Sequence, residues 1–171
     1  MEGLDVLLEE LAVFPVRHLA AVGQRRVLFD TGVMLEVPLD REPHVGASAA
    51  AWAAVETGVA EGLLAAHAAT AVHYLAGKEL GAAKARRPVS AILSVFGIAA
   101  VDHAVFDEAL QSPFSDFEDA VTAAAARLAG CECIVTLDPK AFRASPVRAF
   151  TPEAVSPLLQ TRIRGPSPDG A

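Results

Sequence analysis

Val27-Leu28-Phe29-Asp30-Thr31-Gly32 is the stretch that decides the fold. Val27 to Phe29 is a continuous apolar, β-prone run, and Asp30-Thr31-Gly32 is where a strand stops and a helix begins. A strand without polar alternation is buried on both faces, the habit of parallel strands covered by helices. Its counterpart lies far along the chain, where Ile134-Val135-Thr136-Leu137 runs into Asp138-Pro139. Two such strands, each ending in an acid, make Asp30 and Asp138 neighbours on the carboxyl edge of a sheet, the edge at which open α/β folds bind ligands.

Outward from these runs, helices and strands alternate. Residues 46–57 (GASAAAWAAVET) are rich in helix formers, and Gly58 supplies a stop. Leu63-Leu64-Ala65 reads as a second strand, followed by a helix over 68–80 that ends at Gly81. The basic turn Lys84-Ala85-Arg86-Arg87-Pro88 leads into a helix over 89–96, and Gly97 breaks it before a third apolar run, Ile98 to Val101. Asp102 is placed to cap a helix reaching Leu110. Ser115 to Glu118 has the S-x-x-E form of a capping box and opens a small-residue helix ending at Gly130. Cys133 to Thr136 and Val147 to Phe150 complete the strands. The alternation predicts an α/β fold in three layers, a central parallel sheet of roughly four to five strands flanked by helices.

A chain of 171 residues holds one domain with a full core, and 53% apolar against 20% charged residues excludes general disorder. A formal charge of -7 excludes attachment to nucleic acid by bulk charge, so any such contact needs a local basic patch. Lys84, Arg86 and Arg87 with Arg25 and Arg26 are the candidates for it, although charge runs of this kind are more often solvated surface. The longest charge-free stretches, 62–77 and 88–101, fall short of the roughly 20 apolar residues of a membrane span. Glu2, Asp5, Glu9 and Glu10 do not form a basic signal region, so the protein is expected to be cytoplasmic. Cys131 and Cys133 have no further cysteine to complete a zinc set and read as reduced packing residues.

Residues 1–26 stand outside the alternation. Leu4, Leu7, Leu8 and Leu11 recur at helical spacing, giving a short amphipathic helix that reads as a docking arm, as a peptide covering a groove, or as upstream sequence if translation starts at Val22. The domain proper is expected over 27–160, with a disordered tail over 161–171.

Taken singly, each acid has a structural reading: Asp30 as a helix cap, Asp138-Pro139 as N-cap and N1, and Asp116, Glu118 and Asp119 as a first helical turn favoured by the macrodipole. Together they suggest more. Asp116 and Asp119 are three apart and share a helical face, and their helix leads into the strand ending at Asp138. Clustered carboxylates repel, and a hard divalent ion relieves the repulsion while polarising a phosphodiester. Metal-assisted phosphoryl hydrolysis is the chemistry this pattern favours.

VLFDTGVML, followed about 85 residues later by SDFEDAVTAAAARLAGCECIVTLDPKAF, resembles the PIN-domain family, above all the VapC-type toxin ribonucleases of toxin–antitoxin pairs. The resemblance runs from Val27 to Leu159. It implies a PIN-like fold and a metal-dependent endoribonuclease using Mg²⁺ (or Mn²⁺), held by Asp30, Asp119 and Asp138 with Asp116 as a further carboxylate. It also implies an RNA substrate, a cognate antitoxin and a homodimer. Two positions depart from the family pattern: Ala71 stands where an acid is usual early in the helix after the second strand, and Ala141 replaces the usual Asp before Phe142. Glu79 is two turns beyond Ala71, while His67 and His73 read as ordinary packed or surface residues, since imidazole is a poor ligand for a hard cation. The departure at 71 leaves open a second function, a catalytically weakened PIN-like module that binds RNA or protein. Trp52 and Tyr74 read as core or dimer-interface residues. Phe29-Asp30-Thr31-Gly32 is also an aspartic-protease signature, but those enzymes are almost all β, and a haloacid-dehalogenase phosphatase would want an acid where Gly32 stands.

Overall fold

The computed structural model describes residues 24–160. Its five strands, β1 (Arg25–Phe29), β2 (Ala60–Ala65), β3 (Gly97–Ala99), β4 (Cys133–Val135) and β5 (Arg148–Phe150), pair in parallel in the order β3-β2-β1-β4-β5. Helices α1 (Thr31–Glu36) and α2 (Val45–Glu56) link β1 to β2, and α3 (Ala66–Leu80) and α4 (Arg86–Val95) link β2 to β3. Helices α5 (His103–Gln111) and α6 (Phe117–Leu128) link β3 to β4; turns join β4 to β5, and α7 (Pro152–Gln160) follows. This is the α/β architecture in three layers expected from the alternation, with every strand parallel, and it agrees with the PIN-like fold that the resemblance implies.

The central strand is β1, with Leu28 level with Leu63 on one side and Ile134 on the other. Its side chains alternate between two cores. Val27 and Phe29 pack with Met34, Trp52, Val72 and Ile92 under the helices of one face. Leu28 packs with Ile134, Val105 and Ala124 under α5 and α6 on the other. Both faces being covered is why the strand reads as an unbroken apolar run. Alanines Ala120 and Ala123 to Ala126 are all buried, so α6 lies close against the sheet.

One glycine makes an aromatic cluster possible. Phe96 sits edge-on to Phe29 and Trp52, with ring centroids 5.0 and 4.8 Å away. A Cβ on Gly62 would come within 2.5 Å of Phe96 Cδ1 and 2.7 Å of Val55 Cγ2. Gly62→Ala is therefore expected to destabilise the protein by about 1–3 kcal/mol, the usual range for overpacking. Thermal unfolding measures this, and an unchanged midpoint would contradict the packing described.

The two cysteines fall on opposite sides of the sheet, Cys133 in the core of β1 and α3 and Cys131 in that of α5 and α6. Burial pushes their thiols up to about 11 and about 12 respectively. Since the thiolate is the reactive form, both are expected to react with a thiol reagent at pH 8 only after denaturant is added. Stoichiometric labelling of the folded protein would refute this.

Several boundaries differ from the sequence reading. Strand β1 begins at Arg25, two residues early, because Arg25 lies 3.3 Å from Glu132 and Arg26 donates to Glu61 at 2.7 Å, which holds the flanking backbone in the ladder. Helix α4 begins at Arg86, as Pro88 is compatible with a first turn. The capping box at Ser115 does not form: Asp116 caps α6, accepting from the amides of Glu118 at 2.8 Å and Asp119 at 3.2 Å. Asp138-Pro139 starts turns rather than a helix, and α7, with Pro157 inside it, was not expected. Asp102 does cap its helix, through Val105 N at 3.2 Å. The leucines of residues 4–11 and the tail over 161–171 lie outside the described residues. No helix among those described is long and apolar enough to cross a membrane.

Candidate active site

The chain leaves β1 toward β2 on one side and returns to β4 on the other, so the carboxyl ends of β1 and β4 form a topological switch point. Asp30 is the first residue past β1, and its amide donates to Val135 O at 2.9 Å. Its side chain is fixed at both oxygens: Oδ1 accepts from Thr31 N at 2.8 Å and Oδ2 from Thr136 Oγ1 at 2.9 Å. Burial raises the Asp30 carboxyl above the usual range, with the bonds from Thr136 and Thr31 opposing the rise.

Thr136 is buried and joins the two strand ends. Its hydroxyl donates to Asp30 and accepts from Asp138 N at 3.2 Å, so one side chain sets the position of both acids. Asp138 Oδ1 accepts in turn from Lys140 N at 3.0 Å. The third acid, Asp119, comes from the first turn of α6. Its carboxyl is pushed up to about 6, by burial first and then by the negative charges of Asp116, Asp30, Glu118 and Asp138. Asp119 thus stands among four other carboxylates. Asp116 belongs to the group electrostatically, while its Oδ1 is engaged in capping α6.

Two members of the rim were not picked out as site residues from the sequence. Glu118, freed from a capping role by the register of Asp116, lets its Oε1 accept from Thr31 Oγ1 at 3.3 Å. His67, in the first turn of α3, has Nε2 3.9 Å from Glu118 Oε1 and 3.5 Å from Thr122 Oγ1. Burial lowers its pKa, while Glu118 and Asp30 pull it up. Ala71 lies one turn further along α3 than His67, and Glu79 is occupied by Arg41, which also reaches Glu36 at 3.8 Å. His73 and Tyr74 are exposed, with Lys78 over the Tyr74 ring, and Trp52 is core.

The proposed basic patch does not assemble beside the acids. Arg25 and Arg26 begin the strand that Asp30 ends, and both are engaged: Arg25 with Leu158 O at 3.0 Å, Arg26 with Ala129 O at 2.8 Å. Lys84, Arg86 and Arg87 follow the far end of α3, whose first turn carries His67.

Oxygen donors of this kind suit a hard dication, and such an ion would relieve the like-charge crowding that adds to burial in raising Asp119. Asp30, Asp119 and Asp138 are the expected acids gathered at this edge. Among the described residues no three His, Cys, Asp or Glu side chains close round a point as a ready-made cage. An ion such as Mg²⁺ ordinarily completes its shell with water and substrate phosphate.

Solved structures share this fold. A toxin–antitoxin complex from Klebsiella pneumoniae matches with a TM-score of 0.55 and 22% identity, over 74% of this chain and 97% of that one. VapBC2 from Rickettsia felis, bound to a DNA fragment from its promoter, matches at 0.59 and 11%, over 74% and 98%. VapC20 of Mycobacterium tuberculosis, described as a sarcin-ricin loop cleaving toxin, matches at 0.54 and 16%, over 67% and 92%. No curated protein matches the chain. A sequence model of the PIN domain, however, matches residues 26–140, from the strand before Asp30 to the turn after Asp138, and on that span the chain belongs to the PIN domain family.

Proposed function

We propose that the protein is a metal-dependent endoribonuclease of the VapC type, the toxin of a toxin–antitoxin pair acting in the cytoplasm. The observation that carries this reading is the crowding of Asp119 by four carboxylates at the switch point. A structural acid cluster has no reason to sit where ligands bind, whereas a site for a dication and a phosphodiester does. The sarcin-ricin loop cleaving toxin and the toxin–antitoxin complexes among its structural neighbours support RNA as substrate and an antitoxin as partner. The expected homodimer belongs to the same proposal.

Asp30, Asp119 and Asp138 would hold Mg²⁺ (or Mn²⁺), which when bound polarises a phosphodiester and lowers the pKa of water. The chain's own residues set the geometry: Thr136 fixes Asp30 and the backbone of Asp138, and Asp116 fixes the first turn of α6 that carries Asp119. The test is cleavage of RNA with and without Mn²⁺ by the wild type, Asp30→Asn and Asp119→Asn. Activity that is absent, or that survives both substitutions, defeats the nuclease reading. The first of these outcomes, with RNA or a protein partner still bound, would favour the weakened binding module to which Ala71 points.

A further inference from the structure

The leucine spacing at residues 4–11 and the basic turn at residues 84–87 are sequence features that the acid site leaves unused. The turn stands at one end of a groove. Between α3 and α4 runs an open channel of about 680 Å³, lined by Ala69, Thr70 and His73 from α3 and by Arg86, Val89 and Leu93 from α4. Positions 86, 89 and 93 are three and four residues apart and share one face of α4, a stripe about 10 Å long. Leu93 is 37% exposed there and Val89 is half-buried, so the floor is apolar and is left uncovered by the described residues. The rim is basic in a protein of formal charge -7. Lys84 and Arg86 are exposed, Lys78 lies in the last turn of α3, and the carboxylate beside it, Glu79, is taken by Arg41.

We propose that residues 1–11 of this same chain occupy the groove as an amphipathic helix, with Leu4, Leu7, Leu8 and Leu11 on its apolar floor and the acids of the segment toward Lys84 and Arg86. The lengths match, since Leu4 to Leu11 and Arg86 to Leu93 both span seven residues. The charges match as well. Residues 1–11 carry Glu2, Asp5, Glu9 and Glu10 with no Lys or Arg, and helical spacing puts Asp5 and Glu10 on the two flanks of the leucine stripe. The connection is long enough. Gln24 donates to Gly58 O, so the chain enters β1 beside the start of β2. Gly97, which follows α4 closely, lies two strands from β1 and level with Leu63, while Arg25 is level with Ala60. That separation is about 10 Å across the sheet and about 10 Å along it. Residues 12–23 extend to roughly 40 Å. The other exposed apolar face, where Phe106 stacks on Phe117 beside Leu110, carries Asp107 and Glu118 next to its rings and would repel so acidic a segment. This assignment is independent of the chemistry of the aspartates.

The experiment is paramagnetic relaxation NMR on the ¹⁵N-labelled full chain carrying a nitroxide at Gly3→Cys. Cys131 and Cys133 are buried, which keeps the label on the new thiol. The amide signals of Thr70, His73, Ser90 and Leu93 are expected to be lost while the nitroxide is oxidised and to return when it is reduced, with those of Phe106 and Leu110 unchanged throughout. Leu7→Glu combined with Leu8→Glu is expected to restore the groove signals in the oxidised sample. Groove signals that persist beside the oxidised label overturn the proposal, as does an equal loss at Phe106 and Leu110 or a loss that survives the two glutamates. A mixture of nitroxide-bearing ¹⁴N protein with untagged ¹⁵N protein separates the sources of the segment. No loss is expected in it, and loss there would seat the segment of a second copy in the groove and overturn the same-chain assignment. All the substitutions precede β1 and leave both walls of the groove intact.

Discussion

Asp30→Asn is expected to lower RNA cleavage by more than about 100-fold, beyond the roughly 10- to 100-fold lost when an outer partner of a metal site is removed. The substitution keeps the shape and the cap: the amide oxygen of Asn still accepts from Thr31 N, and Asn is as good an N-cap as Asp. What it removes is the negative charge at the switch point. Thr136→Val separates positioning from charge. It deletes the hydroxyl that donates to Asp30 Oδ2 and accepts from Asp138 N while preserving volume, so about 10-fold of the rate is expected to go, with Thr136→Ser restoring it. Single-turnover cleavage, with circular dichroism to establish folding, measures both. A Thr136→Val enzyme as fast as wild type would show that the two strand ends do not need this tie.

Asp119→Asn is expected to stabilise the metal-free protein at pH 7.5. The Asp119 carboxyl is raised from 3.8 to about 6 in the folded state, so the folded protein holds its proton more tightly than the unfolded chain does. The corresponding stability is present at low pH and is lost as pH rises from about 4 through about 6, where a charge develops among other charges. Asn never develops that charge. Since the group is partly exposed and screened, about 1 kcal/mol is expected rather than the full value of the shift. This corresponds to a gain of about 2–4 °C in thermal midpoint at pH 7.5, vanishing toward pH 4.5. Added Mn²⁺ should stabilise the wild type more than the variant. A variant less stable than wild type at every pH would show that Asp119 acts by hydrogen bonding rather than by repulsion.

Asp30 was legible because a strand buried on both faces leaves an unbroken apolar run, and the first polar residue after it has to stand at the sheet's edge. The helix behind Asp119 was legible from its small residues, which only a close approach to a sheet requires. Glu118 was hidden by a shift of one residue. With Ser115 as cap its side chain would reach back to the helix start, and with Asp116 as cap it is free to meet Thr31. The carboxylate of Asp116 satisfies two amides at once, and that competition is invisible in an S-x-x-E match. His67 was hidden for a different reason, since its neighbours Thr122 and Glu118 lie 55 and 51 positions away and no local pattern connects them. Arg25 and Arg26 stand away from the acids because they begin β1 and Asp30 follows its other end, and a strand separates its two ends by its whole length.

The bond from the Asp30 amide to Val135 O makes that residue one more rung of the central ladder, whereas Asp138 sits among turns that follow β4. The rim therefore has a stiff side and a compliant one. Opening the ladder at Asp30 means breaking a pair of buried strands, while the turn at Asp138 can reshape by local opening at far lower free energy. A ligand that fits imperfectly will be accommodated by movement of Asp138, and the position of Asp30 will change little from one ligand to the next.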